Sequence, residues 1–139
     1  FDPTAAGEYS IEVIAESRSN GTPVLTNRIG VIINHAPVAV ADNVNAVEDT
    51  AITFSAAQLL GNDTDANGNA LTIQSVGSAT NGTVVLNVDG TVTFTPNANF
   101  NGVASFSYVA TDSLPIQSDS QPVVVTVLVA AVNDAPVLA

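Results

Sequence analysis

The residues of this sequence with the clearest chemical potential lie in a short polar loop between two apolar segments. Its oxygen-bearing side chains belong to Asp63, Asp65, Asn67 and Asn69. Calcium takes several oxygen ligands at once, and carboxylates at alternate positions of a curled loop supply them from one short segment. The same residue types also form ordinary surface turns without metal. The loop therefore predicts either a calcium site or a plain turn, and its residues alone leave both open.

The spacing of this loop matches the opening positions of an EF-hand, in which acidic and amide residues alternate before a turn glycine, here Gly68. The twelfth position is Gln74, where that pattern needs a bidentate glutamate. The flanking apolar segments are also too short and too β-like for the two helices of an EF-hand. These departures argue against that motif.

The charge balance excludes two classes of partner. Among 139 residues there are 13 acidic and 2 basic side chains, for a net charge of −11, and the two arginines are Arg18 and Arg28. Phosphate binding needs Lys and Arg, so we expect no nucleic acid and no anionic membrane surface. The most apolar run, residues 123–132, is too short for a membrane-spanning helix. Its β-branched residues predict a buried strand instead.

The sequence offers little for catalysis. His35 is the single histidine, and cysteine and lysine are absent. Nucleophilic catalysis needs a nucleophile activated by a nearby base. The adjacent pair Glu48 and Asp49 would point to opposite faces of a strand, so the two carboxyl groups could not flank one bond. We therefore expect no enzyme activity.

A short motif that occurs twice divides the chain. The segment NHAPV at residues 34–38 returns as NDAPV at residues 133–137, roughly 100 residues later, which is the size of one β-sandwich domain. We expect the chain to be an internal fragment of a longer polypeptide. Residues 1–33 would be the last two strands of a preceding repeat, residues 34–132 one complete repeat, and residues 133–139 a linker and the start of the next.

Within the complete repeat, turn dipeptides separate alternating apolar and polar residues. Asn81-Gly82 and Asp89-Gly90 both predict tight hairpin turns. The strands are expected near residues 37–46, 50–55, 70–76, 83–88, 91–95, 103–111 and 121–132, and residues 55–60 could form a helical turn. Seven short strands at this spacing predict an all-β, two-sheet sandwich of immunoglobulin-like type.

Several further motifs, in order, give residues 34–139 a resemblance to the cadherin-like tandem repeats of large bacterial surface adhesins and other giant secreted repeat proteins, including those of the RTX type. These motifs are EDT at 48–50, LLGNDTD at 59–65, DGTVTFTP at 89–96, NFNG at 99–102, SFSYVATD at 105–112 and VNDAPV at 132–137. The resemblance implies a Greek-key β-sandwich of about seven strands. The first 33 residues resemble only the last two strands of such a repeat.

The resemblance also implies calcium at the junctions between repeats. The residues expected at the N-terminal junction are Asp63, Asp65, Asn67, Asn69 and Asp112, facing Asn34. A second half-site would comprise Glu48, Asn133 and Asp134. His35 stands where the family usually has Asp, and a neutral imidazole is a poor calcium ligand, so calcium would bind there weakly or not at all. The acidic partners that Glu48 would need are not evident near residues 99–101.

The function implied is a non-catalytic structural spacer in an adhesin of the bacterial cell surface or in a secreted, extracellular protein, stiffened by calcium. Its partners would be the neighbouring repeats of the same polypeptide, with homotypic or host-surface ligands bound through other domains. The alternative is a carbohydrate-binding or protein-binding β-sandwich module of an adhesin or of a secreted multidomain enzyme. Stacking on sugars favours exposed aromatic residues, and the chain has no Trp and only two Tyr.

Overall fold

The structure, a computed structural model, describes residues 7–13, 18–19, 22–23, 27–114 and 118–133, with side chains from residue 33 onward. Ahead of residue 34, β1 (Gly7–Val13) pairs antiparallel with β4 (Asn27–Ile33). The short β2 (Arg18–Ser19) pairs with β3 (Thr22–Pro23) in the same sense. Two main strands were expected in this region. Their assignment to a preceding repeat stays a prediction.

Seven strands follow and form two sheets. They are β5 (Asp42–Val47), β6 (Ile52–Phe54), β7 (Leu71–Thr80), β8 (Gly82–Leu86), β9 (Val92–Pro96), β10 (Gly102–Asp112) and β11 (Val123–Ala130). One sheet has the order β5-β11-β10-β7 and the other β6-β9-β8. β5 runs parallel to β11, and the other neighbours are antiparallel. This arrangement confirms the predicted all-β sandwich.

The core lies between the two sheets and is built from alternate residues of the strands. The ring of Phe106 stacks with Phe94 at a centroid distance of 5.8 Å and with Phe54 at 6.3 Å. Aromatic pairs at this separation add to the free energy gained from apolar burial. The core therefore fixes β10 in the middle of the sandwich, and β10 carries the acidic residue Asp112 at its end.

Val85, an apolar residue of β8, is 55% exposed and does not join the core. β8 presents three consecutive apolar residues, so the alternation in this strand has two possible phases. The structure selects the phase in which Val84 and Leu86 pack against the core.

The first strand of the sandwich starts later than expected. Residues 37–46 were predicted to be extended, but β5 begins only at Asp42. The preceding residues do not continue a sheet ladder, because their backbone groups bond to the polar loop that follows the short helix. Val38 forms an isolated antiparallel bridge with Thr64.

The Asn81-Gly82 dipeptide does not form the hairpin turn that was predicted. β7 and β8 belong to different sheets, and the chain crosses between the sheets at Asn81, which has a φ of 56°. Its side chain donates to the Val103 carbonyl at 3.0 Å. At Gly82 a Cβ atom would lie 2.4 Å from the Phe94 ring, so glycine permits this close approach. The dipeptide indicates the backbone conformation at Asn81 but does not indicate which sheet the following strand joins.

The other turn signal is confirmed. Asp89-Gly90 lies in the hairpin between β8 and β9, where the amide of Asn87 donates to the Thr91 carbonyl at 2.8 Å. Gly90 adopts a φ of 82°, the left-handed conformation that this type of loop requires.

The predicted helical turn is present as α1 (Ala56–Leu59), followed by a 3-10 turn over Leu60–Asn62. Ser55 caps it, accepting from the backbone amide of Gln58, whose side chain in turn accepts from the Ser55 amide. The buried Leu59 anchors this segment in the core. The polar loop therefore starts from a fixed position at Asp63. No helix among the described residues is long and apolar enough to cross a membrane.

Candidate metal centre

The polar loop lies against the segment that leads into the sandwich. The amide of Val38 donates to the Thr64 carbonyl at 2.8 Å, and the amide of Thr64 donates to the Val38 carbonyl at 3.0 Å. The amide of Val40 donates to Oδ1 of Asp63 at 2.8 Å. The loop thus serves this segment as a substitute for a neighbouring strand. We call this region, comprising residues 33–40, residues 63–69 and Asp112, the N-terminal edge.

Asp63 uses both carboxylate oxygens within the fold. Oδ1 accepts from Val40, and Oδ2 accepts from the Tyr108 hydroxyl at 2.9 Å. The hydroxyl also lies 2.9 Å from the Leu59 carbonyl. Burial, followed by the hydrogen bond to Asp63, raises the pKa of Tyr108 well above its ordinary value of 10.0. Tyr108 therefore keeps its proton, and Asp63 anchors the start of the loop to the core.

A second carboxylate lies beside Tyr108. Oδ1 of Asp42 accepts from the Asn62 amide at 3.0 Å, and its Oδ2 is 3.4 Å from the Tyr108 hydroxyl. Burial raises the pKa of Asp42 above 3.8, the hydrogen bond from Asn62 opposes this, and the charge of Asp63 adds to the increase. Negative charge is therefore concentrated at the base of the loop.

Asp65 has one engaged oxygen and one without a partner. Oδ1 accepts from the backbone amides of Asn67 at 2.9 Å and Asn69 at 3.0 Å. Gly68, with a φ of 75°, closes the turn by donating its amide to the Asp65 carbonyl at 3.1 Å. Oδ2 of Asp65 is buried and has no hydrogen-bond partner, and the same is true of Nδ2 of Asn69. Such buried polar atoms are rare in native structures and call for a partner.

The side chain of Asn67 bonds to residues 33–35, which we call the linker because they lead into the sandwich. Its Oδ1 accepts from the backbone amide of His35 at 2.9 Å, and its Nδ2 donates to the Ile33 carbonyl at 3.0 Å. The imidazole Nε2 of His35 is buried without a hydrogen-bond partner. The linker is thus held through its backbone on both sides of residue 34.

Asp112, the last residue of β10, is fully buried at 0% exposure. Its Oδ1 accepts from the amides of Leu114 and Ser118, both at 3.3 Å. Its Oδ2 accepts from Nδ2 of Asn34 at 2.6 Å. The structure therefore brings Asn34 to Asp112 and Asn67 to the adjoining linker backbone, as expected of residues that meet at one junction.

These residues fit calcium as part of a coordination sphere. Their donors are hard oxygens, and Oδ2 of Asp65 is a buried carboxylate atom that needs a partner. Rotation of the Asn69 amide by half a turn would exchange its unpartnered nitrogen for an oxygen. A depression of about 430 Å³ is lined by Asp63, Asp65 and Asn69, among others. Within the described residues, no three His, Cys, Asp or Glu side chains converge as a metal-binding group, so other ligands would have to complete the sphere.

The sequence profile of the cadherin-like domain family matches residues 33–130. The match covers the seven-stranded sandwich and all of the loop residues described above. The chain belongs to the cadherin-like domain family. No curated protein matches the sequence.

Solved structures with some similarity to this cadherin-like domain belong to much larger proteins. A nucleoside hydrolase-related hypothetical protein from Saccharophagus degradans, associated with carbohydrate metabolism, is 17% identical, with a TM-score of 0.48 over 70% of this chain and 26% of that one. Two endo-fucoidan hydrolases of glycoside hydrolase family 107 are each 20% identical, with TM-scores of 0.37. They cover 90% and 92% of this chain, which spans 22% and 19% of theirs.

The cadherin-like domain holds a second buried acid at its opposite end. Glu48 is 4% exposed, and its Oε1 accepts from the amide of Val132 at 2.5 Å. Its Oε2 is 3.4 Å from Nδ2 of Asn101. Asn133 is exposed and is the last described residue, whereas Asp134 lies outside the described residues. We call Glu48, Asn101 and residues 130–133 the C-terminal edge.

Sequence reasoning missed three residues that support the two edges. Asn101 supplies an amide where acidic partners for Glu48 were sought, and Tyr108 and Asp42 anchor the polar loop. The position of Tyr108 on the core face of β10 follows from strand alternation. Its hydroxyl partner does not, because Asp63 is distant in sequence. The assignments of metal ligands themselves stay predictions.

Proposed function

We propose that this cadherin-like domain is a non-catalytic spacer of a larger extracellular protein, and that calcium at its N-terminal edge stiffens the junction with the preceding module. The observation that carries the proposal is the buried, unpartnered Oδ2 of Asp65 in a loop that also holds the linker. Neighbouring repeats of the same polypeptide are the proposed partners. The proposed location is the bacterial surface or the secreted fraction.

The charge of the chain supports a cation at this edge. A buried carboxylate is stable only when it is paired or well hydrogen-bonded. The two arginines are at positions 18 and 28, so the repeat from residue 37 onward has no cationic Lys or Arg side chain of its own. Calcium would supply the positive charge that this part of the sequence lacks.

Among the described residues, Asp65 would bind the ion through Oδ2, with Asn69 and Asp112 adding oxygens. Asp63 would contribute through lone pairs that its two hydrogen bonds leave over. Asn34 would join from the linker, since its side chain already contacts Asp112. Ligands from the linker or the preceding module would complete the sphere.

The expected affinity is modest. Extracellular calcium modules have dissociation constants of roughly 0.1 to 1 mM, so about 10 mM calcium would stabilise the domain by about 1.4 to 2.7 kcal/mol. This is enough to order a linker and too small to account for the whole fold. The domain is therefore expected to stay folded in a chelator.

The exposed surface favours a spacer over a sugar-binding module. The large apolar residues exposed among the described side chains are all Val or Leu, and Tyr108 is buried. Stacking on a sugar ring uses an exposed aromatic face, since aromatic rings combine a large apolar area with a polar edge. On the outer face, the hydroxyl groups of Thr53 in β6 and Thr93 in β9 bond to each other at 2.9 Å.

The proposal is tested by calcium titration in a calorimeter with the wild-type chain and Asp65→Asn. The substitution keeps the size of the side chain and removes the charge that the ion would meet. We expect binding heat in the wild type and its loss in the variant. Asp89→Asn is the matched control, because Asp89 lies in the distant β8–β9 hairpin and accepts from Thr91.

Two results would contradict the proposal. One is the absence of binding heat in the wild type, and the other is equal heat in the wild type and Asp65→Asn. Circular dichroism in a chelator should retain the β-sheet signal, and its collapse would show that metal is needed for the fold itself.

A further inference from the structure

The side chain of Asn67 makes a contact that no calcium ion requires. It accepts from the amide of His35 at 2.9 Å and donates to the carbonyl of Ile33 at 3.0 Å. A residue in a parallel strand bonds in the same way, to the carbonyl and the amide on either side of the residue opposite. The amide of Asn67 therefore replaces a strand neighbour for the linker at Asn34.

The position of Asn67 is itself fixed by the loop. Its backbone amide donates to Oδ1 of Asp65 at 2.9 Å, and the next residue, Gly68, adopts the left-handed φ of 75° that turns the chain. The Asn69 amide donates to the same oxygen of Asp65 at 3.0 Å. These bonds fix the backbone of the loop at Asn67 before its side chain contacts the linker, so less conformational entropy is lost when that contact forms.

The contact also determines what the linker presents. With Ile33 and His35 held on either side, the side chain of Asn34 reaches Oδ2 of Asp112 at 2.6 Å. Asn34 and Asp112 belong to different parts of the fold, 78 residues apart in sequence. Two bonds from Asn67 and one from Asp112 thus secure three consecutive residues of the linker.

We propose that Asn67 is a positioning residue that clamps the linker at Ile33 and His35 without metal and places Asn34 against Asp112. The junction then has two independent constraints, the clamp and the calcium ion. The use of the clamp in a spacer rests on the proposed function, whereas the clamp itself does not. The side-chain amide of Asn67 bonds to the linker, and it would affect calcium binding only by positioning Asn34.

Amide hydrogen exchange of the full chain in a chelator, followed by NMR, tests the clamp directly. In the wild type the His35 amide should be protected, because Asn67 accepts its hydrogen. Asn67→Ala should accelerate its exchange by about tenfold or more. The amides of Val38 and Thr64 should keep their rates, since their bonds are to each other's carbonyl groups.

One further variant separates the two bonds of the clamp. Asn67→Asp keeps an oxygen for the His35 amide and loses the donor to Ile33, so His35 protection should persist. Asp89→Asn is again the control, because Asp89 lies in the distant β8–β9 hairpin and contacts neither the polar loop nor the linker. It should leave the His35 rate unchanged.

The clamp is overturned if the His35 amide exchanges equally fast in the wild type and Asn67→Ala, or if it is protected only after calcium is added. If Asn67→Ala also accelerates exchange of the Val38 and Thr64 amides, then Asn67→Asp decides the question. Retained protection of the His35 amide in that variant supports the clamp, and lost protection overturns it. Failure of the calorimetric titration alone would remove calcium and leave the clamp standing.

Discussion

Both edges of the domain bond to a linker through a buried acid, but they differ in how completely their carboxylate oxygens are hydrogen-bonded. At each edge a buried acid bonds to a linker segment: Asp112 to the Asn34 side chain, and Glu48 to the Val132 backbone. At the C-terminal edge both oxygens of Glu48 have donors. At the N-terminal edge one oxygen of Asp65 has none. Among the described residues, the C-terminal edge has no carboxylate oxygen without a donor, whereas the N-terminal edge has one that a cation could bind.

This difference shows that an acidic residue at a junction is not by itself evidence of a metal ligand. A carboxylate with an amide donor on each oxygen stabilises the chain as an acceptor. A carboxylate oxygen that is buried and unpartnered is costly until something binds it. The comparison therefore predicts that calcium acts mainly at the N-terminal edge of this chain.

The largest effect should follow Asp112→Ala. Asp112 is fully buried, and the change would leave three donors from Asn34, Leu114 and Ser118 without their acceptor. We expect a loss of about 3 kcal/mol in the free energy of unfolding, measured by urea denaturation. Asp112→Asn, which keeps the volume and one oxygen, should lose less. Equal losses in the two variants would show that the second carboxylate oxygen and its charge are responsible, and not the volume of the side chain.

A smaller loss is expected for Glu48→Ala at the other edge. The variant removes the acceptor of Val132, but Asn101 and the linker lie near solvent and can bind water instead. The expected loss is about 1 to 2 kcal/mol in the same urea experiment. Glu48→Gln should recover part of it. A loss larger than that of Asp112→Ala would reverse the ranking of the two edges.

The smallest effect concerns pH and Asp42, beside the N-terminal edge. Burial raises the folded-state pKa of this carboxyl above 3.8, so the folded state holds the proton more tightly than the unfolded state. The contribution of Asp42 to stability is therefore greatest below pH 3.8 and declines as pH rises through the raised pKa.

Asp42→Asn should remove this slope from the pH dependence of the free energy of unfolding, measured by urea denaturation between pH 3 and 7. Asp89→Asn is the comparison variant, because hydrogen bonds from Thr91 lower the pKa of Asp89 and give a slope of opposite sign. An unchanged slope in Asp42→Asn would show that Asp42 is not its source.

The sequence was sufficient for the fold class because strand alternation and turn residues are local signals. All seven strands of the sandwich lie near their predicted positions, and the helical turn begins beside its capping residue, Ser55. The predicted start of β5 and the predicted hairpin turn at Asn81-Gly82 were wrong. Both depend on which distant backbone a segment meets, and no local pattern encodes that choice.

The candidate site was predictable in its membership but not in its roles. The spacing of Asp63, Asp65 and Asn67 indicated one polar loop, and the structure confirms that they share it. The spacing could not indicate that Asp63 bonds to Tyr108, which is 45 residues away. Nor could it indicate that Asn67 bonds to the linker backbone, which is 32 to 34 residues away. Which residues lie in the loop follows from their proximity in sequence, whereas what each residue binds depends on tertiary contacts.

The parallel pairing of β5 with β11 has a consequence for a chain under tension. The pairing runs in register from Asp42 and Val125 to Val47 and Ala130, so the first and last strands of the sandwich are direct neighbours. A force applied through the two linkers would pull these strands in opposite directions along their length. The hydrogen bonds between them would bear that force in shear and fail together, so the domain should resist extension until the whole ladder ruptures.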